Sequence, residues 1–379
     1  MYEFTKFPER RNTGCIKWDI VPEGTIPMWV ADMDFPIAPQ ITEAIEKRVS
    51  HPIYGYADSE QKTLRAHIIK HYKDKYDVEV KDEWIVWVPS VISGMVASLQ
   101  MLGKSFIYSV PMYNHIRMLE KETKLPAIEV PMKRDENYYF TMDIEALENQ
   151  INEEVGAMIL CNPHNPVGRM FSREELLEIQ EFNSKHHLIM ISDEIHCELA
   201  FDKKHIPYFA VSEEAAQNSI TLCSAGKICN IPGLPMGFVI IPNASLREQL
   251  NKKQEGLLSA VNVLTQAAYE AAYDGSCDEW KDELRDQLKK NRDYLEERIS
   301  KIEELKMTHN EGTYLSWIDC SALGLENPYQ YFYKEAKVMF SPGEVFGDKQ
   351  CIRVNFGCPH EQLKEALDRM ENAILKRRK

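Results

Sequence analysis

This sequence has no apolar run approaching membrane-spanning length, and its opening residues, MYEFTKFPERRNTG, lack the apolar stretch of a secretory signal. Basic side chains are the minority, 45 against 59 acidic, and the resulting net charge of −14 argues against nucleic acid or an anionic membrane as the main partner. No basic cluster carries interleaved aromatics, and neither a P-loop nor a G-x-G-x-x-G is present, so a nucleotide is not the favoured ligand. The nine cysteines are odd in number and include no C-x-x-C pair, which speaks against a disulfide framework or a zinc ribbon. No metal centre is expected, and the thiols read as those of a reduced, cytoplasmic protein. Internal repeats, low-complexity tracts and a Gly/Ser-rich linker are also missing, so any boundary between domains is soft.

What remains is a chain of 379 residues, 44% hydrophobic, with ample apolar material for a core and a length that fits two domains. From about residue 39 to 275, short apolar runs alternate with helical patterns. The strand candidates are EWIVWV (83–88), SFIYSV (105–110), LPAIEV (125–130), VGAMILC (155–161), LIMIS (188–192), SITLC (219–223) and GFVII (237–241). Helical patterns fall between them, as over 172–186, where Leu176, Leu177, Ile179 and Phe182 give a roughly helical stripe. Such alternation predicts an α/β fold with a mostly parallel, seven-stranded sheet covered on both faces. From 276 to 379 a long charged helix, the strands GTYLSWIDC and CIRVNF and a closing helix predict a smaller α+β domain. Residues 1–38 show no helix signal and are expected to lie across the domains and join the small one.

Ligands of open α/β sheets bind beyond the carboxyl ends of the strands. Here those ends carry polar oddities: PSVIS, PMYN, NPHNPVG, SDEIH and SAGK. Lys227 follows an apolar strand; desolvation there would lower its pKa and free a neutral amine for a Schiff base, although taken alone an ordinary loop lysine is the plainer reading. Asp193 ends the apolar run LIMIS, where a carboxylate is costly unless paired. A helix cap or a magnesium ligand would account for it. So would the acid that keeps a pyridine nitrogen protonated, and a lysine paired with such an acid is the pattern of pyridoxal 5′-phosphate sites.

Further candidates fit that cofactor. Ser90 reads as a helix N-cap, with Val91, Ile92, Met95, Val96 and Leu99 marking the buried face, and the free N–H groups at Val91 and Ile92 would attract a phosphate. Asn165 either forms a turn or donates to the ring hydroxyl; Tyr113 either packs in the core or stacks on the ring. Tyr56 sits in a Gly-containing loop and either packs or reaches a phosphate. In CIRVNF, alternation sets Arg353 with Cys351 and Asn355, on the face opposite Ile352 and Val354. There it is either solvated or a bidentate clamp for a carboxylate.

Together these pieces resemble the fold-type I pyridoxal phosphate enzymes, most closely the MalY/PatB-type cystathionine β-lyases, or C–S lyases. The resemblance rests on RRNTGCIKWD, PMWVADMDFP, PSVI, NPHNPVG, SDEIH, the Lys227 segment with NIP, GTYLSWID and IRVNFGCP. It implies pyridoxal phosphate as cofactor, Lys227 as Schiff-base lysine and general base, and Asp193 as partner of the pyridinium. It further implies cofactor contacts from Asn165, Tyr113, His196, Ser224, Val91 and Ile92, and a substrate amino acid held by Arg353 and Ala31. The family is homodimeric with sites at the interface, so Tyr56 is expected at the neighbouring subunit's phosphate. The implied reaction is α,β-elimination from L-cystathionine or related cysteine S-conjugates to a thiol, pyruvate and ammonia. Three residues depart from related patterns. His196 replaces the tyrosine common in aminotransferases, as in the lyase branch; Pro235 replaces a phosphate-binding arginine; and Gly226 replaces the usual serine before the lysine. An aminotransferase is the alternative, and a protein-binding regulatory role a more distant one.

Overall fold

The computed structural model describes residues 2–6, 8–257 and 260–378. All seven apolar runs between 83 and 241 become strands of one sheet: β1 (Ile85–Val88), β2 (Ser105–Val110), β3 (Ala127–Pro131), β4 (Val155–Cys161), β5 (Ile189–Asp193), β6 (Ser219–Cys223) and β7 (Gly237–Ile240). Their spatial order is β1-β7-β6-β5-β4-β2-β3. Pairing is parallel from β6 through β5, β4 and β2 to β3, while β7 runs antiparallel to both β6 and β1. Every residue of β4 is buried, as a strand covered on both faces requires. The first strand starts later than its apolar run, because Asp82–Trp84 form a 3₁₀ turn.

The antiparallel β7 has a positional consequence. The chain leaves the sheet after Cys223 and re-enters it at Gly237, and in the ladder Phe238 stands opposite Cys223. The segment carrying Lys227 is therefore tied at both ends to the carboxyl edge of β6, beside the end of β5.

Two helices illustrate how local signals set their limits. α1 (Val91–Leu102) starts at Ser90, whose hydroxyl accepts the Ser93 N–H while the Ser93 hydroxyl accepts the Ser90 N–H. It stops at Gly103, which adopts a left-handed φ of 64°. Its buried stripe is Val91, Met95, Ser98 and Leu99, whereas Ile92 and Val96 are only half-buried. The apolar Ile92 is left partly uncovered because it faces a cavity. α2 (Arg173–Lys185) has the same reciprocal cap between Ser172 and Glu175.

The C-terminal part contains a four-stranded antiparallel sheet, β8 (Lys306–Met307), β9 (Leu315–Asp319), β10 (Ser341–Pro342) and β11 (Cys351–Asn355), in the order β8-β9-β11-β10. Helices α3 (Asp278–Ser300) and α4 (His360–Arg377) pack with it. All of Cys351–Asn355 is buried, so β11 has no solvated face and Arg353 cannot be a surface arginine.

The N-terminal segment contains one helical turn, Ile16–Asp19, too short to announce itself by periodicity. Ile26–Pro27 then pair in parallel with Val338–Met339, and the Asn355 N–H donates to Met28 O at 2.9 Å. Asp34 holds the segment inward: buried, it takes Arg10 at 2.7 Å, Lys17 at 2.9 Å and Gln362 Nε2 at 3.0 Å. A buried carboxylate with this set of donors is satisfied, and it fixes the neighbouring residues Ala31–Asp34 near the lysine segment.

Candidate active site

The two acids that follow β5 have different fates. Asp193, level with Cys161 on β4 and Leu222 on β6, points into a cavity at the strand ends. Glu194 points away and is saturated: Oε1 accepts from Ser192 Oγ at 2.9 Å and Tyr208 N–H at 2.8 Å, and Oε2 meets His205 Nε2 at 2.8 Å. Asp193 accepts one side-chain hydrogen bond, from Ile195 N–H at 3.1 Å. Burial pushes its carboxyl up to about 6, against that hydrogen bond and the nearby Lys227. It is an acid short of a cation.

Lys227 lies across the same cavity. Its Nζ donates to Ala31 O at 2.8 Å, an oxygen that also accepts from Tyr314 OH at 2.9 Å. Burial first, then the Arg353 charge, pull the amine down to about 8. The loop around it is closed by Ser224, which donates to Met236 O at 2.7 Å, meets Tyr269 OH at 2.7 Å and accepts Gly226 N–H at 3.1 Å. A side chain at Gly226 would start 3.2 Å from that hydroxyl, so the glycine gives the Ser224 network its room.

An anion seat faces these groups. Val91 and Ile92, the first residues of α1, line the cavity, and N–H groups at a helix start have no intrahelical acceptor. Gly237 keeps the approach open, since a Cβ there would lie 3.3 Å from Val91 N and 3.1 Å from a Val88 methyl.

Asn165, Tyr113 and His196 complete the lining. Asn165 Oδ1 accepts from Arg353 at 3.1 Å, which leaves its Nδ2 free to donate into the cavity. Burial pushes the Tyr113 phenol up to about 12. His196 is buried edge-on to Tyr314, with ring centroids 6.1 Å apart, and its Nδ1 has no partner. Burial, with Lys227 and Arg353 adding to it, holds the imidazole neutral. Arg353 donates to Trp29 O at 3.0 Å and Ser341 Oγ at 3.1 Å, lies 4.5 Å from the Phe346 ring and has an unpartnered Nε. Burial lowers its pKa to about 10, leaving it charged at neutral pH.

Nine of the residues picked from the sequence (Ala31, Val91, Ile92, Tyr113, Asn165, Asp193, His196, Ser224 and Lys227) line one cavity. Arg353 lines an adjoining cavity of about 550 Å³ that shares Ala31, Tyr113 and Lys227 with the first. Tyr56 is not among them: it is fully exposed and outside both linings. Pro235 does line the first cavity.

Sequence reasoning missed three contributors. Tyr269 comes from an element with no motif of its own, and Tyr314 was quoted within GTYLSWID but given no role. Asn230 was quoted within NIP but given no role. At φ 54° it accepts from Met33 N–H at 2.8 Å and donates to Met33 O and Phe35 O at 3.0 and 2.9 Å. It thereby ties the lysine segment to the N-terminal segment. An asparagine three residues after a strand-end lysine was the available signal, since Asn tolerates the left-handed region.

The donor set fits pyridoxal phosphate: an amine with a depressed pKa, an unpaired acid for a ring nitrogen, an amide donor, a flat ring and a helix start for phosphate. Among the described residues, no group of three or more His, Cys, Asp or Glu is arranged to hold a metal.

Comparison with known proteins gives the same picture. The aminotransferase class I and II family matches residues 25–370. The chain is 33% identical to cystathionine beta-lyase PatB of Bacillus subtilis (strain 168) over 387 residues, covering 98% of this chain and 99% of the relative. It is 30% identical to a cystathionine beta-lyase of Corynebacterium glutamicum over 376 residues, covering 98% and 100%. Cystalysin from Treponema denticola, solved with a pyridoxal 5′-phosphate cofactor, superposes with a TM-score of 0.94 at 28% identity, covering the whole of both chains. The resemblance carried by the motifs is thus matched along the full length, and the chain belongs to the aminotransferase class I and II family, fold-type I, in its cystathionine beta-lyase branch of MalY/PatB type.

Proposed function

We propose that this protein is a pyridoxal phosphate-dependent carbon–sulfur β-lyase that cleaves L-cystathionine or related cysteine S-conjugates to a thiol, pyruvate and ammonia. The observation that carries the reading is the convergence of Lys227, Asp193 and Arg353 on joined cavities, in a chain that matches lyases from end to end. Pyridoxal phosphate, when bound, supplies an aldehyde carbon for the amino group and a ring that accepts the electron pair left at Cα.

The chain's own residues do the rest. With the cofactor bound, the Val91 and Ile92 N–H groups would hold the phosphate, with Ser224 lining the same cavity, and Asn165 Nδ2 would donate to the ring oxygen. Tyr113 and His196, which line the same cavity, would pack against the ring. Asp193 would hold the proton on the pyridine nitrogen, and that cation would offset the cost of its burial. Arg353 grips the substrate carboxylate, with Ala31 alongside. Lys227, with a pKa near 8, has a useful neutral fraction at neutral pH and removes the Cα proton. Incubation with L-cystathionine tests the whole reading: pyruvate and free thiol should appear without added keto acid. A requirement for keto acid would turn the assignment to an aminotransferase; neither product would leave a binding role.

The role of Arg353 has its own test. Arg353→Leu should raise KM for any S-conjugate by about 100-fold with a smaller effect on kcat, because a charge-assisted pair is worth about 2–3 kcal/mol. Arg353→Lys should recover part of the loss. Steady-state pyruvate release measures it, and an unchanged KM in Arg353→Leu would remove the residue from substrate binding.

The assembly is read as a homodimer with each site at the interface. Ile53, Tyr54, Tyr56 and Leu257 are all more than half exposed, an apolar set that supports a covered surface and a place for Tyr56 at the partner's phosphate. Light scattering should give twice the chain mass of 43.9 kDa; a fully active monomer would refute this. For domain limits of 1–38, 39–275 and 276–379, the pairing of Ile26–Pro27 with Val338–Met339 supports placing the N-terminal segment with the small domain. No helix among the described residues is long and apolar enough to cross a membrane. All nine cysteines are unpaired thiols, which supports a reducing compartment, the cytoplasm.

A further inference from the structure

Three oxygens meet beside the phosphate seat, and two hydroxyl protons serve them. Ser224 Oγ and Tyr269 OH each stand 2.7 Å from Met236 O and 2.7 Å from one another, and Gly226 N–H donates to Ser224 Oγ at 3.1 Å. Tyr269 reaches this point from the helix Val263–Tyr273, 45 positions from the serine. Both side chains line the cavity together with Val91 and Ile92. A Cβ at Gly237 would lie 3.3 Å from Val91 N and 3.3 Å from Cys223 O, so the start of α1 and the residue before Ser224 flank one glycine. Ser224 and Tyr269 are buried by this chain alone, so a partner subunit adds to the seat without altering their contact.

A hydroxyl has one proton to give. Met236 is buried, and among the described residues Ser224 and Tyr269 are the donors to its carbonyl. Without the phenol, Ser224 alone would satisfy that oxygen. Turning the serine proton toward a phosphate would then leave a buried acceptor unpaired, which is costly. With the phenol proton on Met236 O and Gly226 N–H on a Ser224 lone pair, the serine proton is free to turn to the anion. Burial pushes the Tyr269 phenol well above its ordinary value, so it stays a donor. Gly226 leaves the pair its space, since a Cβ there would start 3.2 Å from Ser224 Oγ and 3.7 Å from Tyr269 OH.

We propose that Tyr269 is a positioning residue for the cofactor: its hydroxyl satisfies Met236 O and thereby releases the Ser224 proton for the phosphate. The inference rests on the pyridoxal phosphate reading and adds a residue to the phosphate end of the site, away from the substrate.

The experiment dialyses the full-length apo-protein to equilibrium against pyridoxal 5′-phosphate and, separately, against pyridoxal, which lacks the phosphate. Tyr269→Phe should raise the Kd for pyridoxal 5′-phosphate by about tenfold or more and that for pyridoxal by less than about twofold. A packing defect would weaken both ligands alike, so the ratio of the two constants reads the phosphate contact. Ser224→Ala completes a double-mutant cycle: with the serine proton gone, adding Tyr269→Phe should raise the Kd for pyridoxal 5′-phosphate by less than about threefold. An unchanged Kd in Tyr269→Phe, equal losses for both ligands, or an undiminished effect in the Ser224→Ala background overturns the role of Tyr269 and leaves the lyase assignment standing. A wild-type protein that binds neither ligand overturns both.

Discussion

Lys227→Ala should lower kcat/KM for β-elimination by about 10⁴-fold or more, because one side chain is assigned two duties. General-base catalysis alone contributes about 10²–10⁴-fold, and losing the covalent anchor adds to it. Among the described residues, no other lysine lines either cavity to stand in as a second amine. The fold should survive, since the side chain's hydrogen bond is to Ala31 O, which Tyr314 continues to occupy. Lys227→Arg should be equally inactive: its guanidinium stays protonated and cannot serve as the base. Borohydride reduction of the loaded wild-type enzyme, followed by peptide mapping, locates the anchor directly. A label on any peptide other than the one containing Lys227 would end this reading, as would a Lys227→Ala variant retaining about a tenth of the activity.

The strand ends were readable because each combines two strong local signals. LIMIS followed by two acids, and SITLC followed by Ser-Ala-Gly-Lys, set charge against a run that can only be buried, and that conflict marks a site. The helix start at Ser90 was equally plain from its cap. What stayed hidden was anything set by packing between distant segments. Both acids after β5 look alike in the sequence, and only the positions of Ser192, His205 and Tyr208 show that Glu194 is satisfied and Asp193 is not. Arg353 looked like a residue on the polar side of a half-buried strand. Its burial comes from the N-terminal segment, whose Trp29 carbonyl it binds from 324 positions away. Tyr56 was legible only as a loop aromatic, and within one chain its ring touches neither cavity. The role proposed for it belongs to an assembly that a single sequence does not describe.

Asp193→Asn should separate catalysis from stability with opposite signs. In the cofactor-free chain the folded-state pKa of Asp193 is about 6, above the roughly 3.9 of an unfolded aspartate. The folded state therefore binds the proton more tightly. Its stability is fully present below about pH 4 and falls as pH climbs to about 6, by roughly 3 kcal/mol in all. Lys227 works the other way. Its folded pKa of about 8 lies below the roughly 10.4 of an unfolded lysine, so stability is lost as pH falls from about 10 to about 8. The apo-protein should thus be least stable between about pH 6 and 8, where both buried groups are charged, with their mutual attraction recovering part of the loss. An asparagine keeps the Ile195 N–H contact without the charge. Apo Asp193→Asn should consequently resist urea better than wild type at about pH 7.5, by up to roughly 3 kcal/mol, and match it near about pH 4. With the cofactor bound the advantage should vanish, because the ring nitrogen supplies the cation that Asp193 lacks, and kcat should fall by about 10²–10⁴-fold as the ring loses its held proton. Equal apo stabilities at both pH values would show that Asp193 is not held as an unpaired buried acid, and full activity in the variant would show that no proton on the ring depends on it.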